Sequence, residues 1–215
     1  MLLSTAFAHA QNLEAVLNAM DKAAANFHTA QTDFEWDQYQ KVVDEHDIQK
    51  GTMYFRRQSD GVQMAADITG PEKKYVLFNG TVVSVYLPKA GQVTEYNAGK
   101  NKADFETFLV LGFGGRGHDL AKSFDAKYAG MEQVQGINAG KLELTPKSQK
   151  VSNMFQTITL WIDMARGVSV QQLFNERSGD YRLAKYSNIQ LNQKLNNDVF
   201  KLKTSGKVTY VRPNS

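Results

Sequence analysis

The 215-residue chain has no cysteine. That absence excludes a disulfide framework, a thiolate metal site, a cysteine nucleophile and a lipid-modified N-terminal cysteine. No stretch approaches the roughly 18 apolar residues that a membrane-spanning helix needs. Charge of one sign is also scarce, with a net +3 from 25 basic and 22 acidic residues. Its only basic doublets, Arg56-Arg57 and Lys73-Lys74, make no stripe of the kind that binds nucleic acid. The four histidines, His9, His28, His46 and His118, are scattered and form no H-x-x-x-H pair for a metal. Neither G-x-S-x-G nor G-x-x-x-x-G-K-[ST] occurs. Asp44-Glu45-His46-Asp47 reads as a polar turn, since four consecutive loop residues rarely converge on one ion. Nothing nominates a pair of catalytic carboxylates. The expectation is therefore a protein that is not an enzyme and carries no cofactor or metal.

An apolar content of 42% with 22% charged residues is ordinary for a globular chain. The length suits one large β domain, taken as residues 11–215. Residues 1–10 read as a signal-peptide remnant. Leu2 to Ala8 is a short apolar run, and Ala8-His9-Ala10 has the A-x-A form of a cleavage site, although the positive n-region is missing. A secreted chain without a lipidated cysteine would be soluble in the periplasm and not anchored.

Asn12 to Thr29 has helical spacing, with Leu13, Val16, Leu17, Met20, Ala24 and Phe27 on one stripe and Asn12 as N-cap. From Thr32 the period becomes two. Strands are expected around Phe34 and Trp36, over Ile48–Arg57, and over Gly61–Ile68. Lys74 to Leu87 reads as an apolar hairpin turning at Asn79-Gly80 in a type I′ turn, central and covered on both sides. Gln92–Tyr96 follows. Later strands are expected over Lys127–Val134, Lys141–Thr145, Phe155–Asp163, Val168–Asn175, Tyr181–Leu191 and Val199–Lys203, with the last one extending toward Val211. Gly130, Gly136 and Gly140 mark breaks. About eleven strands in one domain result.

Lys102 to Phe124 interrupts this run. Phe105, Phe108, Leu109 and Gly112 recur at helical spacing. The glycine-rich break Gly112–Gly117 then leads into a second short helix over Asp119–Phe124. The segment fits a helical crossover plugging the open end of a sandwich or barrel. It also fits a mobile lid whose glycines absorb backbone change. A phosphate cradle fits least.

The order of these elements resembles the periplasmic lipoprotein carriers of the LolA type. The resemblance rests on the first helix ending in Phe27-His28-Thr29-Ala30-Gln31, and on Gly51-Thr52-Met53-Tyr54-Phe55-Arg56-Arg57. The hairpin ending in Tyr86-Leu87-Pro88 and the helical insert follow, then Leu144-Thr145-Pro146-Lys147 before Ile158–Asp163. It implies a mainly β fold with a helical lid: an unclosed antiparallel barrel, or half-barrel, whose apolar hollow is covered by helices. It also implies a carrier, as a monomer, that takes acylated lipoprotein or another lipid cargo from an inner-membrane lipoprotein-releasing ABC transporter. The cargo passes to an outer-membrane acceptor. A sensor of the same fold, a carrier of glycolipid or phospholipid, and a periplasmic hydrolase remain as alternatives. The implied cavity and lid residues are Leu17, Met20, Trp36, Phe55, Met64, Phe105, Phe108, Leu109, Phe113, Ile158 and Leu160. In the family an arginine ending the second strand lies near the lid, and Arg56 or Arg57 stands there, followed by Gln58 where proline is usual.

Overall fold

A computed structural model describes residues 3–59, 61–97 and 111–213, with side chains from Gln11 onward. Phe105, Phe108 and Leu109 lie outside the described residues. The chain runs α1 (Leu3–Ala25), β1 (Thr29–Gln40), β2 (Glu45–Gln58), β3 (Gly61–Gly70), β4 (Lys74–Phe78), β5 (Val82–Leu87) and β6 (Gln92–Asn97). After residues 98–110 come α2 (Gly117–Ser123), β7 (Phe124–Val134), β8 (Ile137–Pro146), α3 (Gln149–Met154), β9 (Thr157–Asp163), β10 (Val168–Asn175), β11 (Tyr181–Leu191) and β12 (Thr209–Val211). Among the described residues twelve strands, against the expected eleven or so, make one sheet in the order β12-β6-β5-β4-β3-β2-β1-β11-β10-β9-β8-β7. The order has two ends, so the sheet is unclosed, as the resemblance implies. Its ladders are antiparallel apart from β12, which runs parallel to β6.

Several boundaries differ from expectation. Helix α1 begins at Leu3, so Asn12 lies inside it and does not cap it. It ends at Ala25 and not Thr29, because Asn26 donates from its side chain to the Lys22 carbonyl at 3.1 Å and from its backbone to Ala23. The Asn79-Gly80 hairpin forms, but not through a type I′ turn. Gly80 takes φ +95° while Asn79 is absent from the positive-φ residues. Instead, the Asn79 carboxamide oxygen accepts the amides of Thr81 and Val82, an Asx-type closure. A two-residue loop with both φ values positive occurs at Gln135-Gly136, between β7 and β8. Nor is the β4–β5 hairpin central and doubly covered: it sits near the β12 end, and on β5 Ser84 and Tyr86 are buried while Val83 and Val85 are half-buried.

Gly130 and Gly140 do not break strands. Gly130 sits at an irregularity within β7, and Gly140 lies inside β8. The strand expected over Val199–Lys203 is a 3-10 turn, Asn197–Phe200, because the Asn196 side chain accepts the Asp198 amide and caps it.

The chain divides into two compact units. The first comprises Met1–Asn26, Trp36–Asp47 and Gly112–Tyr186. The second comprises Phe27–Glu35, Ile48–Leu111 and Ser187–Ser215.

Candidate functional site

Within the first unit, register fixes which side chains share a face, because neighbours across a ladder point the same way. Gly140 pairs with Ile162, Leu142 with Leu160 and Leu144 with Ile158. Leu160 and Ile158 in turn pair with Gln172 and Phe174. Helix α1 closes on this unit to backbone distance. A Cβ on Gly140 would lie 2.7 Å from a Val16 methyl, and one on Gly167 would lie 2.2 Å from the Ala19 carbonyl oxygen. One on Gly117 would lie 2.4 Å from the Leu17 carbonyl oxygen. Only glycine permits these approaches.

The glycine-rich break is pinned to the sheet in the same way. The Ser169 amide donates to the Gly112 carbonyl at 2.8 Å, and a Cβ on Gly112 would meet Ser169 Cβ at 2.2 Å. Phe113 then stands edge-on to Tyr186, with ring centroids 4.9 Å apart. The Tyr186 hydroxyl donates to Gln172, and burial pushes that phenol well above its ordinary pKa. Of the predicted cavity residues, Leu17, Met20, Phe113, Ile158 and Leu160 all belong to this unit and are 3% exposed or less. They form a packed core. Trp36, in the same unit, is half-buried.

His118 adds a polar tie here that sequence reading missed. Its Nδ1 lies 2.6 Å from Asp21 and its Nε2 lies 3.1 Å from Glu14, both on α1. Its backbone amide also donates to Asp21, satisfying one of the unpaired N–H groups that open α2. Hydrogen bonds to Asp21 and then Glu14 raise the His118 pKa. For Asp21, burial pushes upward, but the bonds from His118 hold its carboxyl below the usual value.

The second unit is built differently. One face of β2 to β6 is a continuous apolar grid. Phe55, Met64, Phe78, Val83 and Tyr96 form one row, and Met53, Ala66, Val76, Val85 and Thr94 form the next. Phe55, Met64, Ala66 and Phe78 are buried, whereas Met53, Val76, Val83 and Val85 are half-buried and Tyr96 is 47% exposed. This unit thus gathers two predicted cavity residues, Phe55 and Met64. The arginines separate by strand alternation. Arg57 falls on the apolar-grid side, with its guanidinium 5.7 Å from the Phe27 ring and its amide donating to His28. Arg56 falls on the other side, bound to Gln63 and Asn197 and stacked 4.2 Å over Phe200.

That other side also holds a cavity of about 100 Å³, lined from Tyr54 on β2, Ala65–Asp67 on β3, Tyr75–Leu77 on β4, and Asp198, Val199 and Lys201–Lys203. Among the described residues, none of those predicted lines it. Asp67 and Lys203 are too far apart in the chain for spacing to have flagged them.

The family model described as outer membrane lipoprotein carrier protein LolA matches residues 25–203. No curated protein matches the chain in sequence. Among solved structures, an uncharacterized conserved protein from Thermus thermophilus aligns with a TM-score of 0.60 at 13% identity, over 93% of this chain and 98% of that one. MucB aligns with a TM-score of 0.58 at 15% identity, over 92% of this chain and 65% of MucB. The Pseudomonas aeruginosa MucB structure with MucA aligns with a TM-score of 0.52 at 16% identity, over 89% and 60%. These likenesses are of fold. Among the described residues no helix is long and apolar enough to cross a membrane.

Proposed function

The chain belongs to the outer membrane lipoprotein carrier (LolA) family, and on that premise we propose that it is a periplasmic carrier. It binds lipoprotein acyl chains on the apolar grid of the second unit and moves them from inner to outer membrane. One observation carries the reading: the grid continues past its buried centre into half-buried Val76, Val83 and Val85 and an exposed Tyr96. A contiguous apolar patch left partly open is characteristic of a surface that binds something. Met53 and Met64 suit it, since thioethers adapt to irregular chains.

Phe105, Phe108 and Leu109 follow β6 in sequence and act as the cover of the bound chains in this proposal. Arg57, on the grid side, is the better latch for that cover than Arg56, which the C-terminal segment holds on the opposite side. The inner-membrane releasing transporter and the outer-membrane acceptor are the partners such a route requires.

Energetics limit how the cargo is held. Each buried CH₂ contributes roughly 0.8 kcal/mol, so three long acyl chains with about 45 such groups would reach about 35 kcal/mol gross. Non-covalent affinity saturates near ~18–21 kcal/mol. Burial must be partial or offset by opening the cover, which suits a carrier that has to release its load. Replacing Phe105 and Phe108 with Asp should abolish binding of a fluorescent acyl probe while the β circular dichroism persists. Unchanged binding would remove residues 105–108 from the mechanism, and lipid-free native protein by mass spectrometry would count against the carrier role itself.

A further inference from the structure

The cavity on the Tyr54 side of the second unit lies opposite the apolar grid proposed to bind acyl chains, and it has the features of a built site. Asp67 lines it, and Asp67 Oδ1 is closed to bulk solvent without a hydrogen-bond partner. A buried carboxylate oxygen left unmatched is expensive, and native folds retain few of them. The adjacent Tyr54 phenol is held above its ordinary pKa by burial and then by the Asp67 and Asp33 carboxylates, so the inner end of the cavity is electronegative.

The outer end is different. Lys201 and Lys203 stand there exposed, and Lys201 is bonded to Asp198 at 2.9 Å. Tyr75 adds an aromatic wall, and its ring already carries Lys73 Nζ at 5.2 Å from the centroid. The lining therefore offers the Asp67 carboxylate inside, an aromatic side wall, and the Lys201–Asp198 pair with Lys203 at the mouth. About 100 Å³ is several times the ~10–15 Å³ that one water needs.

We propose that this cavity binds a small zwitterion, its primary ammonium donating to Asp67 and its anionic group facing Lys203. Ethanolamine phosphate has this chemistry, either as a free solute or as the headgroup of a phospholipid. A primary ammonium brings N–H donors to the Asp67 carboxylate, which a quaternary ammonium cannot do. That difference separates recognition of the amine from attraction to charge alone.

The test is calorimetric titration of the full chain with O-phosphoethanolamine and with phosphocholine. The amine should bind, and phosphocholine should bind about tenfold more weakly or not at all. Asp67→Asn should weaken the amine by about tenfold, and Lys203→Glu, at the exposed mouth where the fold is not at risk, by several-fold. Failure of O-phosphoethanolamine to bind at millimolar concentration would overturn the proposal. So would equal affinity for phosphocholine, or full affinity in both variants, the cavity then holding only water. Co-sedimentation with phosphatidylcholine vesicles, with and without phosphatidylethanolamine, identifies the source. Capture that depends on phosphatidylethanolamine and is lost in Lys203→Glu supports a lipid headgroup. Solution binding without capture supports a soluble ligand. Val85→Asp serves as the control: it should remove acyl-probe binding and leave O-phosphoethanolamine binding intact, so the two sites fail separately.

Discussion

The first unit closes its apolar face with its own helix, whereas the second keeps part of its apolar face unfinished. In the first, Gly117 and Gly167 let backbone meet backbone along α1, Gly140 admits the Val16 side chain, and Leu142, Leu144, Ile158, Leu160 and Ile162 have no measurable exposure. In the second, the grid begins with Phe55 and Phe78 at core-like burial and ends at Val83, Val85 and Tyr96, which keep solvent contact. Both faces are mostly apolar in sequence. What separates them is the cover, and close packing permits no room for a ligand where the cover is complete. On the proposed function, the first unit is scaffold and the second receives the apolar cargo.

The sharpest way to break this comparison is to cut a side chain from each face. Leu160→Ala should lower stability by about 2–5 kcal/mol, as truncations in a packed core do. Chemical denaturation measures it, and acyl-probe affinity should hold wherever the protein remains folded. A loss under ~1 kcal/mol would show that the first face is not packed as described. Gly140→Ala tests the same packing from the other direction. Its new Cβ would press on Val16 and on Met164 Sδ, so overpacking of about 1–3 kcal/mol is expected.

The second face should respond in the opposite manner. Val85 is half-buried, so Val85→Asp should change the melting temperature little. Acyl-probe affinity should fall by about tenfold or more, because a carboxylate in the grid would have to be desolvated under the chain. If Val85→Asp unfolds the protein instead, the second face is core like the first and the division collapses.

The strands were legible where a single period persists: Val168–Asn175 and Tyr181–Leu191 are found at the bounds the pattern indicates. The pattern failed where local polar chemistry overrides it. Val199, Phe200 and Leu202 imitate a strand, but Asn196 captures the Asp198 amide first. Helix α3 passed unnoticed because only Val151 in it is buried, too little for a stripe. Gly140 looked like punctuation, and its real role is visible only once α1 lies over it. That Phe55 and Met64 share one apolar face could be read from the period-two pattern. Which half of the apolar surface is sealed could not, since that depends on how closely a helix approaches.

The smallest expected effect concerns how firmly the cover of the first unit is fastened. His118 bridges Asp21 and Glu14 on α1, and it is the group there whose charge changes near neutral pH. Its folded pKa is raised above the ordinary 6.5, so the tie contributes fully below about pH 6.5 and is lost as pH climbs through the folded value. Asp21 acts in the reverse sense. Its folded pKa is depressed below 3.8, so its share is present above that value and disappears as pH falls through the folded pKa. The α1–α2 tie should therefore be strongest between about pH 4 and 6.5 and weaken above it. His118 is 45% exposed, so solvent screening keeps the effect small. His118→Gln should flatten the fall in stability above pH 6.5 relative to the native chain, with acyl-probe affinity unchanged at pH 6. An undiminished slope in the variant would show that the fastening of α1 rests on its glycine contacts alone.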